Sequence, residues 1–185
     1  MIKALYLIYQ ILIALPIMIV ATLLTALVTM IGSVFDHRFW GYWPGMIWGR
    51  LFYLVFLIPV RVDGLENIRK GQSYVIAPNH QSYWDAFLVY GYIGIKFKWM
   101  MKKELSRIPF VGWACYMAGC IFIDRSSRGS GMESIRKAES KLKNGMSVVI
   151  FPEGTRTHDG EMGKFKRGAF LISEELHLPI LPVTI

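Results

Sequence analysis

Residues 73–85 read Ser-Tyr-Val-Ile-Ala-Pro-Asn-His-Gln-Ser-Tyr-Trp-Asp, a short apolar run that breaks at a proline into a polar turn and a helix start. Ser73 to Ala77 is apolar and partly β-branched, which predicts a strand. The same texture recurs along the chain. Further strands are predicted at Val60–Val62, Phe97–Met101, Cys120–Asp124, Ser147–Phe151 and Ile180–Ile185. Helical stretches separate them. The clearest is Met132–Lys143, where Met132, Ile135, Ala138 and Leu142 keep a three-to-four spacing and Gly145 can cap the end. Strands alternating with helices predict an α/β domain with a mostly parallel sheet flanked by helices. No internal repeat or low-complexity segment interrupts it.

The polar turn carries chemistry. On one continuous helix, side chains five residues apart diverge by about 140°, so His80 and Asp85 could not share a face. A strand-to-helix turn removes the difficulty. With Ser82 as N-cap, Asp85 falls at the third helical position of a capping box, and His80, still in the loop, can fold back onto that carboxylate. A carboxylate accepting from one imidazole nitrogen fixes the tautomer and leaves the other nitrogen to take a proton from an alcohol. The alternative is structural: Asp85 caps the helix and His80 is an ordinary loop histidine.

A second turn, Phe151-Pro152-Glu153-Gly154-Thr155-Arg156, again follows a predicted strand directly. Ligand sites of open α/β sheets gather at the carboxyl ends of the strands, so both turns fall on the edge where a site belongs. Pro152 and Gly154 define a turn that aims Glu153 and Arg156 and presents backbone N–H groups. Arg125, after the strand Cys120–Asp124, and Lys102 and Lys103, after Phe97–Met101, are predicted on the same edge. Arg125 offers a fork for a phosphate and Lys103 a point charge. Any one of these cations can equally be a solvated surface group. Their convergence at several strand ends favours a site.

The rest of the composition points to a membrane. Of 185 residues, 54% are hydrophobic and 18% charged, and the mean hydropathy of +0.37 excludes a disordered or fibrous chain. From Ala4 to Ile31 there is no formal charge. As a helix this stretch would run roughly 40 Å, enough to cross a hydrocarbon core of about 30 Å. It is too long for a signal-peptide core and is preceded only by Lys3. Pro16 is expected to kink it. An aromatic block, Phe39 to Val60, follows, interrupted by Pro44, Gly45 and Arg50. Its Trp and Tyr density suits a bilayer interface, either within one leaflet or as a hairpin with the first helix, although packing on the soluble domain would also account for it. Cys115 and Cys120 have neither disulfide-framework nor zinc spacing, which makes a reducing compartment the default.

With these residues in hand, the chain resembles the glycerolipid acyltransferase family, and within it the bacterial 1-acyl-glycerol-3-phosphate (lysophosphatidic acid) acyltransferases. Four blocks carry the resemblance in the family's order: His80 to Asp85 as His-x4-Asp, Gly119 to Arg125, Phe151 to Arg156, and Leu178-Pro179-Ile180-Leu181-Pro182-Val183. His-x4-Asp alone is weak, whereas four blocks over more than half the chain are specific. Met101 to Leu105 and Ile108 to Gly112 match as well. The resemblance implies a glycerol-phosphate acyltransferase-like fold and transfer of a fatty acyl group from acyl-CoA or acyl-ACP (acyl carrier protein) to the sn-2 hydroxyl of lysophosphatidic acid, giving phosphatidic acid in phospholipid biosynthesis. It further implies His80 and Asp85 as catalytic, with Lys103, Arg125, Glu153, Gly154, Thr155 and Arg156 binding substrate. The acyl thioester is a co-substrate; no other cofactor and no metal is expected.

This reading divides the chain into a membrane-binding N-terminal segment, 1–60, and a catalytic domain, 61–185. The family usually continues through further strands beyond the fourth block, so the domain is expected to be cut short at Ile185. The net charge of +8 divides into +2 up to Val60 and +6 from Arg61 onward. Basic residues concentrated after the apolar helix favour a catalytic part on the cytoplasmic side, and the resemblance implies that the membrane is a bacterial inner membrane. The surplus fits an anionic lipid surface and a phosphorylated substrate. Nucleic acid is disfavoured, because the cations fall at strand ends rather than along one helix. Three rivals differ in class or acceptor: a family member acting on glycerol-3-phosphate or another lysolipid, a metal-dependent hydrolase using His80, Asp85, Glu153 and His158, and a non-catalytic lipid-binding module.

Overall fold

The computed structural model describes residues 1–124, 133, 142, 146–157 and 160–185. Five short strands, β1 (Val75–Pro78), β2 (Phe97–Lys102), β3 (Ile121–Ile123), β4 (Ser147–Val149) and β5 (Ile180–Val183), form one sheet in the order β3-β2-β4-β1-β5. Every pairing is parallel, with Val75 opposite Val148 and Ile180, and Trp99 opposite Val149. Five of the six predicted strands are present. Val60–Val62 is not one of them: it is an irregular connection with no ladder partner among the described residues, and it reads as a strand only because β-branched residues are also common in linkers.

Period-two alternation divides the core between the two faces of the sheet. Val75, Met100, Ile121 and Val148 face one side and pack with Leu142, Ala169 and Ile172, the last two from α6 (Gly168–Leu176). Ile76, Phe97, Trp99 and Val149 face the other and pack with Tyr42 and with Val89 of α4 (Asp85–Tyr92). Burial on both faces explains why these strands are largely apolar rather than alternating, with Lys98 of β2 and Ser147 of β4 as buried polar exceptions. The predicted helix Met132–Lys143 lies almost wholly outside the described residues.

The N-terminal 35 residues, Ile2–Asp36, form a helix apolar and long enough to cross a membrane, most of it exposed. It consists of α1 (Ile2–Tyr9), a π-helical turn (Gln10–Ala14) and α2 (Leu15–Asp36). The π turn sits where the proline predicts a disturbance. Pro16 has no N–H to return, and just before it the Leu15 N–H donates five residues back, to the Gln10 carbonyl. The helix absorbs Pro16 without ending.

After a short turn, α3 (Trp43–Val55) runs through all three expected interruptions. Pro44 is in the first turn, where its missing N–H costs no bond. Gly45 and Arg50 continue the helix. The aromatic block both pairs with the first helix and packs on the following domain. Tyr6 and Tyr9 donate from their hydroxyls to the carbonyls of Phe56 (2.6 Å) and Val55 (2.7 Å), and Trp48 Nε1 donates to Thr22 Oγ1 (2.9 Å), which pairs α3 with the first helix. On its other side α3 packs on α4. A Cβ at Gly49 would lie 2.5 Å from the Phe87 carbonyl oxygen, so the two helices cross nearly backbone to backbone. A further tie is Lys98 of β2, only 1% exposed. Its Nζ donates to the His37 carbonyl just beyond α2 and to the Ala118 carbonyl just beyond α5 (Val111–Met117). A buried ammonium persists only with such partners.

Candidate active site

Because all strands are parallel, their carboxyl ends share one edge, and β1 and β4 are neighbours there. The turn after β1 delivers His80 and the turn after β4 delivers Glu153. The two motifs, more than 70 residues apart in sequence, are stitched together by backbone bonds. His80 N–H donates to Glu153 Oε1 (2.6 Å), and the His80 carbonyl accepts from Thr157 N–H (3.0 Å). The His80 ring stacks on Phe151, with centroids 3.8 Å apart and planes 14° from parallel.

His80 Nδ1 lies 2.8 Å from Asp85 Oδ2. That oxygen also accepts the N–H groups of Gln81 (2.8 Å) and Ser82 (2.9 Å). Asp85 is 3% exposed. Burial works to raise its pKa, but the bonds from His80, Ser82 and Gln81 outweigh it and hold the carboxyl below its ordinary value. An ionised Asp85 favours the Nδ1–H tautomer and leaves the Nε2 lone pair as the base. The regular helix begins at Asp85, three residues later than the expected cap at Ser82. Half of the expected capping box forms: Asp85 accepts from Ser82 N–H, while Ser82 Oγ accepts from Trp84 N–H at 3.2 Å instead of from the N–H of Asp85. Ser82 Oγ is thereby engaged with the backbone, and the His80–Asp85 pair can act as a base and its orienter without a protein nucleophile.

The predicted substrate-binding residues fare differently. Glu153, 3% exposed, gives one oxygen to His80 N–H and the other to Gly163 N–H (2.8 Å). In this structure its carboxylate is engaged by the protein backbone rather than by Arg156. Gly154 takes φ +73° and its N–H closes the turn onto the Phe151 carbonyl (3.1 Å). Of the N–H groups that this turn was expected to present, this leaves those of Glu153 and Thr155. The Arg156 guanidinium carbon lies 3.2 Å from the centroid of the Tyr83 ring, a cation–π contact that seats it beside the His80 turn. Lys103 Nζ pairs with Asp124 (3.0 Å) at the end of β3. Arg125 and His158 lie outside the described residues.

The strap between Gly160 and Arg167 is a part of the site that the motifs did not reveal. Gln81 Nε2 donates to the Gly160 carbonyl (3.3 Å), Gly163 N–H meets Glu153, and Lys166 N–H donates to the Pro152 carbonyl (2.9 Å). The strap thus folds back over both turns. It brings Lys166 Nζ to 3.0 Å from where a Gly154 Cβ would stand, placing another cation against the Glu153-Gly154-Thr155 turn. The signal available was the pair Gly160 and Gly163 just ahead of a basic run, Lys164 to Arg167.

A groove of about 590 Å³ runs along the β5 edge, lined by Val60 to Leu65, Leu88, Tyr92 and Leu181 to Ile185. Neither His80 nor Glu153 lines it. Among the described residues, no three His, Cys, Asp or Glu side chains are grouped to hold a metal ion.

The family model described as Acyltransferase matches residues 59–185. A 1-acyl-sn-glycerol-3-phosphate acyltransferase of Pseudomonas aeruginosa is 40% identical over 127 residues, 68% of this chain and 49% of that protein. The human alpha enzyme of the same name is 35% identical over 136 residues, 72% and 48% of the two chains. The chloroplastic Arabidopsis thaliana enzyme LPAT1 is 35% identical over 127 residues, 68% and 35%. The chain therefore spans about a third to a half of the length of these relatives. The crystal structure of the 1-acyl-sn-glycerophosphate acyltransferase PlsC from Thermotoga maritima superposes with a TM-score of 0.69 at 25% identity, covering 98% of this chain and 75% of that one. With a base–carboxylate dyad on the carboxyl edge of its parallel sheet and a family match from residue 59 to 185, the chain belongs to the acyltransferase family.

Proposed function

We propose that the protein transfers a fatty acyl group from acyl-CoA or acyl-ACP to the sn-2 hydroxyl of lysophosphatidic acid, giving phosphatidic acid. The observation that carries the reading is the 2.8 Å contact between His80 Nδ1 and Asp85 Oδ2 at the carboxyl edge of the sheet. His80 Nε2 takes the hydroxyl proton as the acceptor oxygen bonds to the thioester carbonyl carbon. The C–S bond then breaks and the thiol leaves with a proton. General-base catalysis of this kind contributes about 10²–10⁴-fold. The N–H groups of Glu153 and Thr155 are the donors placed for the tetrahedral oxyanion. Arg156, with Lys103 and Arg125, supplies positive charge for the acceptor phosphate.

In this reading the segment 1–60 holds the catalytic domain, 61–185, at the cytoplasmic face of a bacterial inner membrane, where the lysolipid resides. Its support is the exposed apolar surface of Ile2–Asp36. Detergent-solubilised protein, assayed for thiol release against a panel of lyso-acceptors with both thioester donors, tests the proposal. Release that requires lysophosphatidic acid supports it. Release with glycerol-3-phosphate alone would reassign the acceptor, and no release with any acceptor would leave a lipid-binding module.

A further inference from the structure

Between β2 and α5 the chain leaves the sheet from the edge that carries His80, makes a 3₁₀ turn (Lys103–Arg107) and doubles back at Pro109-Phe110-Val111. The reversal is a γ-turn of the positive-φ kind. Val111 N–H donates to the Pro109 carbonyl at 2.7 Å, and Phe110 between them takes φ 60° and ψ −59°. That conformation is rare and strained for a residue with a side chain. Its effect is display. Phe110 is 50% exposed and Trp113 52%, their ring centroids 5.5 Å apart, and Tyr116, on the same helix face as Trp113, is 69% exposed. Ile108 and Val111 beside them are exposed as well. Single exposed apolar side chains are ordinary, but a strained turn that clusters aromatic rings outward marks a partner.

The position of the segment identifies that partner. Its helix α5 packs against α2, and Lys98 holds the carbonyls that follow each of them, His37 and Ala118, so the two helices end at one place. Whatever surrounds the exposed side of α2 near its carboxyl end therefore also meets α5. At the base of the segment Lys102, Lys103 and Arg107 are exposed, against Glu104 and against Asp124, which pairs with Lys103. Trp and Tyr at the apolar end with cations at the other is the layering of a bilayer interface with anionic headgroups.

We infer that residues 108–116 form a second lipid-contacting element, a wedge that places Phe110 and Trp113 at the boundary between headgroups and acyl chains of an anionic bilayer. The inference rests on the reading of α2 as a membrane helix and goes beyond it. One helix alone leaves the domain free to swivel. A wedge rooted on the carboxyl edge of the sheet holds that edge, and with it His80, against the lipid surface, so that a lysolipid acceptor enters from the membrane rather than from water.

Depth-resolved fluorescence on the full chain tests the wedge. Cys115 and Cys120 are replaced by alanine. An environment-sensitive probe is then attached to single cysteines introduced as Phe110→Cys, Trp113→Cys, Ile19→Cys (in α2) or Gln72→Cys (on the opposite edge of the sheet), each variant first shown to unfold at the parental temperature. The proteins are reconstituted in phosphatidylcholine vesicles with or without phosphatidylglycerol, using brominated acyl chains as quencher. The wedge predicts about twofold or greater quenching at positions 110 and 113, stronger with phosphatidylglycerol, and none at 72. Quenching at 19 with solvent-like emission at 110 and 113 would overturn the wedge while leaving the membrane helix standing. A lipid-independent blue shift at 110 that grows with protein concentration would overturn it in favour of a second copy covering the patch. Charge reversal by Arg107→Glu, which leaves the apolar side chains in place, is expected to reduce the dependence on phosphatidylglycerol.

Discussion

Asp85 Oδ2 receives three donors at once, His80 Nδ1 at 2.8 Å and the backbone N–H groups of Gln81 and Ser82 at 2.8 and 2.9 Å, so the group that orients the base also builds the turn on which the base sits. The two roles separate by mutation. His80→Ala removes the base and leaves the backbone bonds, so thiol release is expected to fall by about 10²–10⁴-fold with little change in thermal stability. Asp85→Asn keeps the shape but loses the charge and one acceptor, so both activity and melting temperature are expected to fall. Normal turnover by the His80 variant would refute the mechanism.

The lowered pKa of Asp85 gives a pH dependence with a defined sign. A carboxyl held below its ordinary value of 3.8 stabilises the fold fully above that value, and the contribution is lost as pH falls through the folded-state pKa. The melting-temperature difference between wild type and Asp85→Asn should therefore not narrow between about pH 8 and about pH 5, and should narrow only in more acidic solution. A difference that narrows already near neutrality would mean that the carboxylate is not held as described.

Glu153 is a second case in which geometry redirects a reading of the motif. Its two oxygens bind the N–H groups of His80 and Gly163, and an amide can accept at only one of them. Glu153→Gln is expected to lose about 1–3 kcal/mol of stability, the cost of a buried donor left without a partner, and to lower kcat by loosening His80. A ligand of the glycerol hydroxyl would behave differently, with KM for the acceptor raised and the melting temperature unchanged. Chemical denaturation alongside steady-state kinetics distinguishes the two.

What could be read in the sequence follows a physical boundary. β1, β2 and β4 are legible because a strand buried on both faces is mostly apolar, as Val75, Ile76, Trp99 and Val148 are. Val60–Val62 misleads because β-branched residues suit any extended backbone, and only pairing makes a strand. His80 with Asp85 is legible since a local turn brings them together five residues apart. The bond from Glu153 to His80, the strap from Gly160 to Arg167 and the cage around Lys98 join parts of the chain that only the tertiary fold brings into contact. Local spacing carries no trace of such contacts. Lys98, an isolated cation in an apolar run, reads like a snorkelling surface lysine until the carbonyls of His37 and Ala118 are placed beside it.

Gly154 and Lys166 supply the last test, because the same close approach limits one residue and positions the other. Gly154 has φ +73°, where a side chain is strained, and a Cβ there would meet Lys166 Nζ at 3.0 Å and Cδ at 3.1 Å. The strain costs about 1–3 kcal/mol on general grounds. The contact is with the end of a flexible side chain that can swing away, so Gly154→Ala should still fold but with Lys166 displaced from the turn. Lys166→Ala removes the cation with no strain, since the side chain is exposed. If positive charge at this turn helps hold the acceptor phosphate, both variants should raise KM for lysophosphatidic acid. Neither should alter KM for a monoacylglycerol of the same chain length, which offers the hydroxyl without the phosphate. Equal losses on the two acceptors would show instead that Lys166 serves only to pack the strap.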